Sequence, residues 1–336
     1  MSSSSDGERA PHLDVEEIEQ AAEIVEKRPV AEAALGEAEA GAQRSGWVTA
    51  LWATPGFVFL GFYLIAPLVF IVLVSFWTYQ VGAKSGFVTD WTFANYNDLL
   101  GIGSKTLDRV YWENMWSSFY RSLIVVGACL VFGFPIAYFL ALKVNRLRNQ
   151  IALFVIALAP FWTSSLTRSI AWTYPLTGRE GAVNRLGDKV GIASPDDPLI
   201  EPLSETSVTL AMAQLYILFM ITPLFFTLAQ VDRTAIEAAR DLGGNWWRTF
   251  REVILPQAMP GVVIGSIFVF VLTMGEYGTV RLVGGNAVSS VGTIVNSKVE
   301  LAVQYPQGAA SAVLLVVALI LGVFVITRFS NLREEL

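Results

Sequence analysis

Six stretches of this 336-residue chain run for 19 to 39 residues without Asp, Glu, Lys or Arg. They lie between Arg44 and Lys84, Arg121 and Lys143, Arg148 and Arg168, Glu205 and Asp232, Glu252 and Glu276, and Glu300 and Arg328. A helix needs about 20 predominantly apolar residues to cross a bilayer. In hydrocarbon, backbone N–H and C=O groups must be paired within a helix or around a closed barrel. Barrel strands alternate apolar and polar positions over about 10 residues, and these runs do not. The runs therefore predict an all-α polytopic membrane protein with six helices. Composition agrees: 15% of the residues are charged, against about 25% in soluble domains.

The formal charge of −6 is not spread along the chain. Segment 1–46 holds eleven acidic and four basic residues, a net of −7. The other 290 residues are nearly neutral, with 19 basic and 18 acidic groups. Segment 1–46 opens with a Ser run, is rich in Ala and Glu, and lacks the apolar density that offsets ordering entropy. It is expected to be a disordered tail, and the first apolar run begins too far along for a cleaved signal peptide. The neutral body disfavours a nucleic-acid binder, and the single Cys a disulfide-built secreted domain. Cys129, inside an apolar run, reads as a packed small hydrophobe. The one His, His12, lies in the tail, so no catalytic triad or metal set is expected.

Lys and Arg bias places loops on the cytoplasmic side. The link 143–150 carries Lys143, Arg146 and Arg148; the link 232–252 carries Arg233, Arg240, Arg248 and Arg251; the C-terminus carries Arg328 and Arg333. With six spans these segments share one side, so both termini are expected in the cytoplasm. Pro67, Pro135, Pro160, Pro223 and Pro260 fall within the runs. Each frees a backbone carbonyl, and Pro160 is the one most readily tied to a pathway.

The longest cytoplasmic link reads DRTAIEAARDLGGNWWRTFREVILP from Asp232 to Pro256. Thr234 and Glu237 have capping-box spacing. Ala238, Ala239 and Leu242 make a small, smooth face, and Glu237 and Asp241 lie one turn apart on a polar one. Gly243-Gly244 stops the helix. Asn245 caps a second helix with Trp247, Phe250 and Ile254 on one stripe. The string Glu237-Ala238-Ala239, three residues, Gly243, nine residues, Val253, one residue, Leu255-Pro256 resembles the EAA motif of permease subunits of ATP-binding-cassette importers. Val253 replaces the motif's Ile. The resemblance implies a type I importer permease bundle whose loop 232–256 docks on an ATPase as a coupling helix. Glu237, Ala238, Ala239, Asp241, Gly243, Leu255 and Pro256 are then the coupling residues.

Two further strings narrow the resemblance. Pro160–Tyr174 reads PFWTSSLTRSIAWTY, and Met274–Gly285 reads MGEYGTVRLVGG. Both are similar to strings of spermidine/putrescine importer permeases. The likeness runs from about Trp47 to the end of the sixth run, and the acidic tail lies outside it. The expected organisation is a tail at 1–46, a six-helix permease domain at 47–330 and a cytoplasmic tail at 331–336.

Ser164, Arg168 and Trp172 are spaced four apart, as on one helix face. Arg168 and Glu276 end uncharged runs and must pair, snorkel or line water. A path for a cationic amine needs carboxylates and aromatic faces. Trp162, Ser164, Arg168, Trp172, Tyr174, Glu276 and Tyr277 are the candidate path residues, and interfacial belts or an Arg168–Glu276 pair are the alternatives. Arg281 opposes a polycation. Similar permeases serve opines, phosphonates, ferric ion or amino-acid-like solutes, so those substrates stay open. A secondary transporter would show repeated halves, and none is evident.

The chain carries no phosphate-binding loop: Gly82-Ala83-Lys84-Ser85 lacks the leading Gly and the Gly before Lys. The resemblance therefore implies no cofactor in this chain, with ATP and Mg bound by a partner ATPase. It further implies a second, homologous permease subunit, two ATPase copies, a periplasmic solute-binding protein and membrane lipid as partners. Nucleic acid is not among them.

Overall fold

The computed structural model describes residues 52–80, 87–102, 108–177, 181–192, 198–201 and 203–331. The acidic tail 1–46 lies outside the described residues, as do 332–336.

Helix α1, Trp52–Ser75, spans two compact units that divide at Val69. In the first unit, the described stretch from Trp52 to Val69 exposes nearly all its apolar side chains, Phe57, Leu60 and Phe62 among them. The second unit begins at Phe70. There the last turn of α1 is tied down by Asn95, whose amide donates to the carbonyls of Ser75 and Trp77 at 2.8 Å each. A short antiparallel hairpin, β1 (Thr78–Tyr79) with β2 (Phe87–Val88), and helix α2 (Ala94–Leu100) follow.

Three long helices make the core: α3 (Arg109–Tyr138), α7 (Glu205–Ala229) and α10 (Leu255–Met274). Their sequences are apolar all round, as expected of helices buried within a bundle. Val125, Cys129, Met220, Leu224, Ala258 and Val269 lie in this core, at 0% exposure. Cys129 is thus the packed hydrophobe that its surroundings predict. Gly261 and Gly265 sit one turn apart on α10 and let it approach α7 closely. A Cβ on Gly265 would come within 2.7 Å of the Met220 sulfur, and one on Gly261 within 2.8 Å of the Pro223 carbonyl. Helix α13 (Tyr305–Asn331) packs along α10.

Among the described residues, five helices are long and apolar enough to span a membrane. The third expected span differs. It is a pair, α4 (Leu147–Leu158) and α5 (Ser165–Thr177), bent by 86° between them. Pro160 is the reason. It lacks an N–H, so α4 tightens into a 3-10 turn over Ala159–Trp162, and Thr163 turns extended, with ψ 146°. Pro135, Pro223 and Pro260 sit inside helices that continue through them. The sequence therefore yields six crossings only if the bent pair counts as one.

Short helices complete the described chain: α6 (Ala182–Val190), α8 (Arg233–Asp241), α9 (Trp246–Thr249), α11 (Gly278–Gly284) and α12 (Val291–Asn296).

Candidate functional sites: a folded loop and a helix break

Between α7 and α10 the chain folds into a small two-helix unit. The cap of α8 is Asp232, not Thr234. The Asp232 carboxylate accepts from the Thr234 backbone N–H and hydroxyl at 2.8 Å each. Those bonds, the hydroxyl's first, hold the Asp232 carboxyl below the ordinary carboxylate range. Asp wins the cap because it precedes the first helical residue and its short side chain reaches back to the orphan N–H groups. Helix α8 ends where expected: Gly243 takes φ +83°, a left-handed turn that an L side chain resists. Asn245 caps α9 by accepting from Arg248 N–H at 2.8 Å.

This unit presents Glu237, Ala238, Asp241 and Gly243 outward, and Leu242 is 88% exposed. Ala239 and Leu255 are half-buried and Pro256 is exposed.

At the other end of α10 the helix breaks at Gly275-Glu276-Tyr277 before α11 begins. Glu276, one residue before the N-cap Tyr277, accepts from the first-turn Thr279 N–H of α11 at 2.7 Å. Its other carboxylate oxygen accepts from the Tyr216 hydroxyl of α7. Ser290 donates to the Glu276 carbonyl at 2.9 Å. Ser169 of α5 shares a hydrogen bond with Thr279 of α11 at 3.0 Å. Arg168 lies half-buried, donates to the Leu215 carbonyl at 3.4 Å and has its guanidinium 5.9 Å from the Phe161 ring centre. Its Nε is buried without a partner among the described residues.

The structure thus brings Arg168 and Glu276 to consecutive residues of α7, Leu215 and Tyr216. They form no ion pair with each other among the described residues, so the direct pairing alternative is corrected: each carries its own α7 contact. Trp172 is half-buried against the core. Trp162 is 80% exposed, and Ser164 is exposed just ahead of α5, where its carbonyl accepts from Arg168 N–H. Ser164 therefore flanks the helix face rather than continuing it. Tyr174 is exposed and lines a cleft of about 310 Å³ with Arg185 and Lys189 of α6. Tyr277 is exposed beside Glu276, and Arg281 is exposed on α11.

Sequence reasoning missed Tyr216. It is the only Tyr between Glu205 and Asp232, and a phenol inside an uncharged span must find a partner. It also missed a pair at the end of the bundle opposite α8. Arg121, 3% exposed, grips Glu205 with two bonds of 2.8 Å and reaches the Ser289 carbonyl at 3.0 Å. One guanidinium thereby ties α3, α7 and the segment before α12.

No family model matches the sequence. Individual relatives do. The chain is 31% identical over 279 residues to the spermidine/putrescine transport system permease protein PotB of Haemophilus influenzae, covering 83% of this chain and 93% of that protein. It is 30% identical over 232 residues to the protein of the same name from Escherichia coli, covering 69% and 82%. The inner membrane ABC transporter permease protein YdcU of Escherichia coli is 27% identical over 251 residues, covering 69% and 77%. A solved bacterial ABC transporter involved in import of the polysaccharide alginate has a chain with the same fold, at TM-score 0.58 and 15% identity, covering 86% of this chain and 96% of that one. By its motifs, its helical membrane fold and these identities, the chain belongs to the spermidine/putrescine-type family of permease subunits of ATP-binding-cassette importers.

Proposed function

We propose that this chain is a membrane-spanning subunit that carries a polyamine, spermidine or putrescine, across the inner membrane into the cytoplasm. The observation that carries the proposal is the folded loop 232–256. A mere connector has no need of two capped helices, a left-handed glycine stop and an outward Leu on a small-residue face. An ATPase groove does. ATP and Mg bind to that partner. Closure of an ATPase pair moves the loop, and the bundle switches the side to which its cavity opens. A second permease subunit completes the pathway, and a periplasmic binding protein delivers the solute.

Both termini face the cytoplasm in this reading, because the basic links lie on that side. The substrate class rests on the relatives and on the carboxylate of Glu276, framed by Tyr216 and Tyr277. Glu276 has lone pairs left after its two hydrogen bonds.

The test is uptake of labelled putrescine and spermidine by cells expressing the whole transporter. It is paired with calorimetry of the cognate binding protein across polyamines, amino acids and phosphonates. Polyamine-selective binding and ATP-dependent uptake are expected. A binding protein that takes phosphonates and ignores polyamines would sink the substrate assignment while leaving the permease role standing.

A further inference from the structure

We infer that Phe250 is the positioning residue through which the loop 232–256 drives two core helices at once, α10 through the backbone and α3 through a ring contact. The inference rests on the coupling role proposed above and adds to it the route by which motion enters the bundle.

The loop is built to move as one piece. Gly244 N–H donates to the Ala239 carbonyl at 2.9 Å, and a Cβ on Gly244 would fall 2.5 Å from that oxygen. That bond closes the stop of α8, and the same Cβ would lie 3.4 Å from the Thr249 hydroxyl, so α9 packs close against the stop. Helix α9 presents two large rings, Trp246 and Trp247, that are 54% and 59% exposed. Both stack on Phe250, with centroids at 5.6 and 5.7 Å. Phe250 then meets the edge of Phe134 on α3 at 5.6 Å and 82°. A load on the exposed tryptophans passes through the half-buried Phe250 ring to α3. Close-packed rings transmit displacement because they have no void to absorb it.

The backbone takes a second route. From Phe250 to Ile254 the chain winds as a π-turn, closed by Leu255 N–H donating to the Phe250 carbonyl five residues back. Pro256 supplies the cause. In a continuous α-helix its ring would strike the carbonyl of Glu252, and its missing N–H would leave that carbonyl unpaired. The extra residue relieves both. The turn is a wider, weaker section of ladder than the α-helix on either side. Ile254, 2% exposed, anchors its far end in the core. The loop therefore joins α10 by a compliant segment and α3 by a rigid ring contact. Both helices lie against α7, so displacement of the loop shifts α3 relative to α10 across that shared support.

The experiment uses the full transporter with its ATPase and binding protein, reconstituted in proteoliposomes. Phe250→Leu keeps apolar bulk and removes the flat ring; Phe250→Tyr keeps the ring. In Phe250→Leu, co-purification with the ATPase and basal hydrolysis stay at the wild-type level. Binding-protein-stimulated hydrolysis and uptake fall about three- to tenfold, the range of one aromatic edge contact. Phe250→Tyr restores both. Phe134→Leu, on α3 and away from the loop, gives the same loss, and the double variant is no worse than either single one. Normal stimulated hydrolysis in Phe250→Leu overturns the inference, as do additive losses in the double variant. Loss of ATPase association in Phe250→Leu also overturns it, since the ring would then only shape the docking face. If Phe250→Leu fails to insert, Phe134→Leu decides alone by the same readouts. Failure of the coupling role itself is separate: Glu237→Ala and Gly243→Pro would then both leave ATPase association unchanged.

Discussion

Tyr216, in the middle of α7, donates its phenol hydroxyl to Glu276, at the break between α10 and α11. The same carboxylate accepts from the Thr279 N–H in the first turn of α11. One ionisable side chain thus serves a helix start and an interhelical bond at once. Arg168 of α5 reaches the neighbouring carbonyl of Leu215. The break after α10 is thus tied to α7 by the Tyr216 side chain.

Removing the phenol hydroxyl tests that link. Tyr216→Phe deletes the hydrogen bond to the Glu276 carboxyl group and leaves the ring packed, so stability should fall by about 1–3 kcal/mol. The thermal midpoint of the purified subunit reports it. Polyamine uptake should drop in parallel, and Glu276→Gln should depress uptake while assembly of the complex is kept. Normal uptake in Glu276→Gln would remove this carboxylate from the path.

The turn around Glu276 depends on a close backbone approach. A Cβ on Gly292 would sit 2.7 Å from the Gly275 carbonyl and 3.1 Å from that of Glu276, whereas one on Gly127 meets nothing within 4 Å. Gly292→Ala should destabilise by about 1–3 kcal/mol through overpacking. Gly127→Ala should be neutral or slightly stabilising because it sits in the middle of a helix. Equal thermal midpoints for the two variants would contradict this account.

The Arg121–Glu205 pair is asymmetric in exposure, at 3% and 57% of the side chain. Glu205→Ala leaves a buried guanidinium with, among the described residues, Ser117 and the Ser289 carbonyl. Arg121→Met leaves a carboxylate that water can solvate. The first should lower stability by about 3 kcal/mol and the second by about 1, because an unmatched buried charge is the larger penalty. Chemical denaturation of both variants in one detergent checks the order.

Glu237 and Gly243 face outward on α8 and at its stop. Glu237→Ala removes a charge without disturbing the fold. Gly243→Pro cannot hold φ +83° and must deform the stop. Association with the ATPase should weaken about tenfold or more in both, about 1.4 kcal/mol or more of binding free energy. Titration of ATPase onto reconstituted permease measures it.

The cap of α8 should respond to acid. The Asp232 carboxyl titrates below its ordinary value in the folded loop because Thr234 bonds the charged form. The cap is therefore fully in force at and above neutral pH, and it is lost as pH falls through that lowered value. Amide exchange across α8, compared between wild type and Asp232→Asn at matched pH, should converge as the native carboxyl protonates. An unchanged ratio down to strongly acid pH would refute this.

Much of the fold is legible in the residues. Uncharged runs locate the spans because the bilayer penalises charge over a known length. Asn245 and Gly243 stand out because caps and left-handed turns are local chemistry. Pro160 marks the bend for the same reason, although its size, 86°, depends on what α5 packs against. The cap at Asp232 was misread as Thr234 because the spacing of Thr234 and Glu237 fits a capping box equally well.

The sites divide along the same line. Loop 232–256 is contiguous, so its sequence located its two helices and their glycine stop, whereas the cap at Asp232 and the π-turn over Phe250–Ile254 that sets Trp247 outward and Ile254 inward came from the structure. Arg121 with Glu205, and Tyr216 with Glu276, lie 84 and 60 residues apart. No local pattern encodes such pairings, because the partner of a stranded polar group is chosen by helix packing. The sequence determined that Arg168 and Glu276 must each find a partner in or beside the membrane. Only the packing of α7 against α5 and against α10, the latter made close by Gly261 and Gly265, decided which partner each one found.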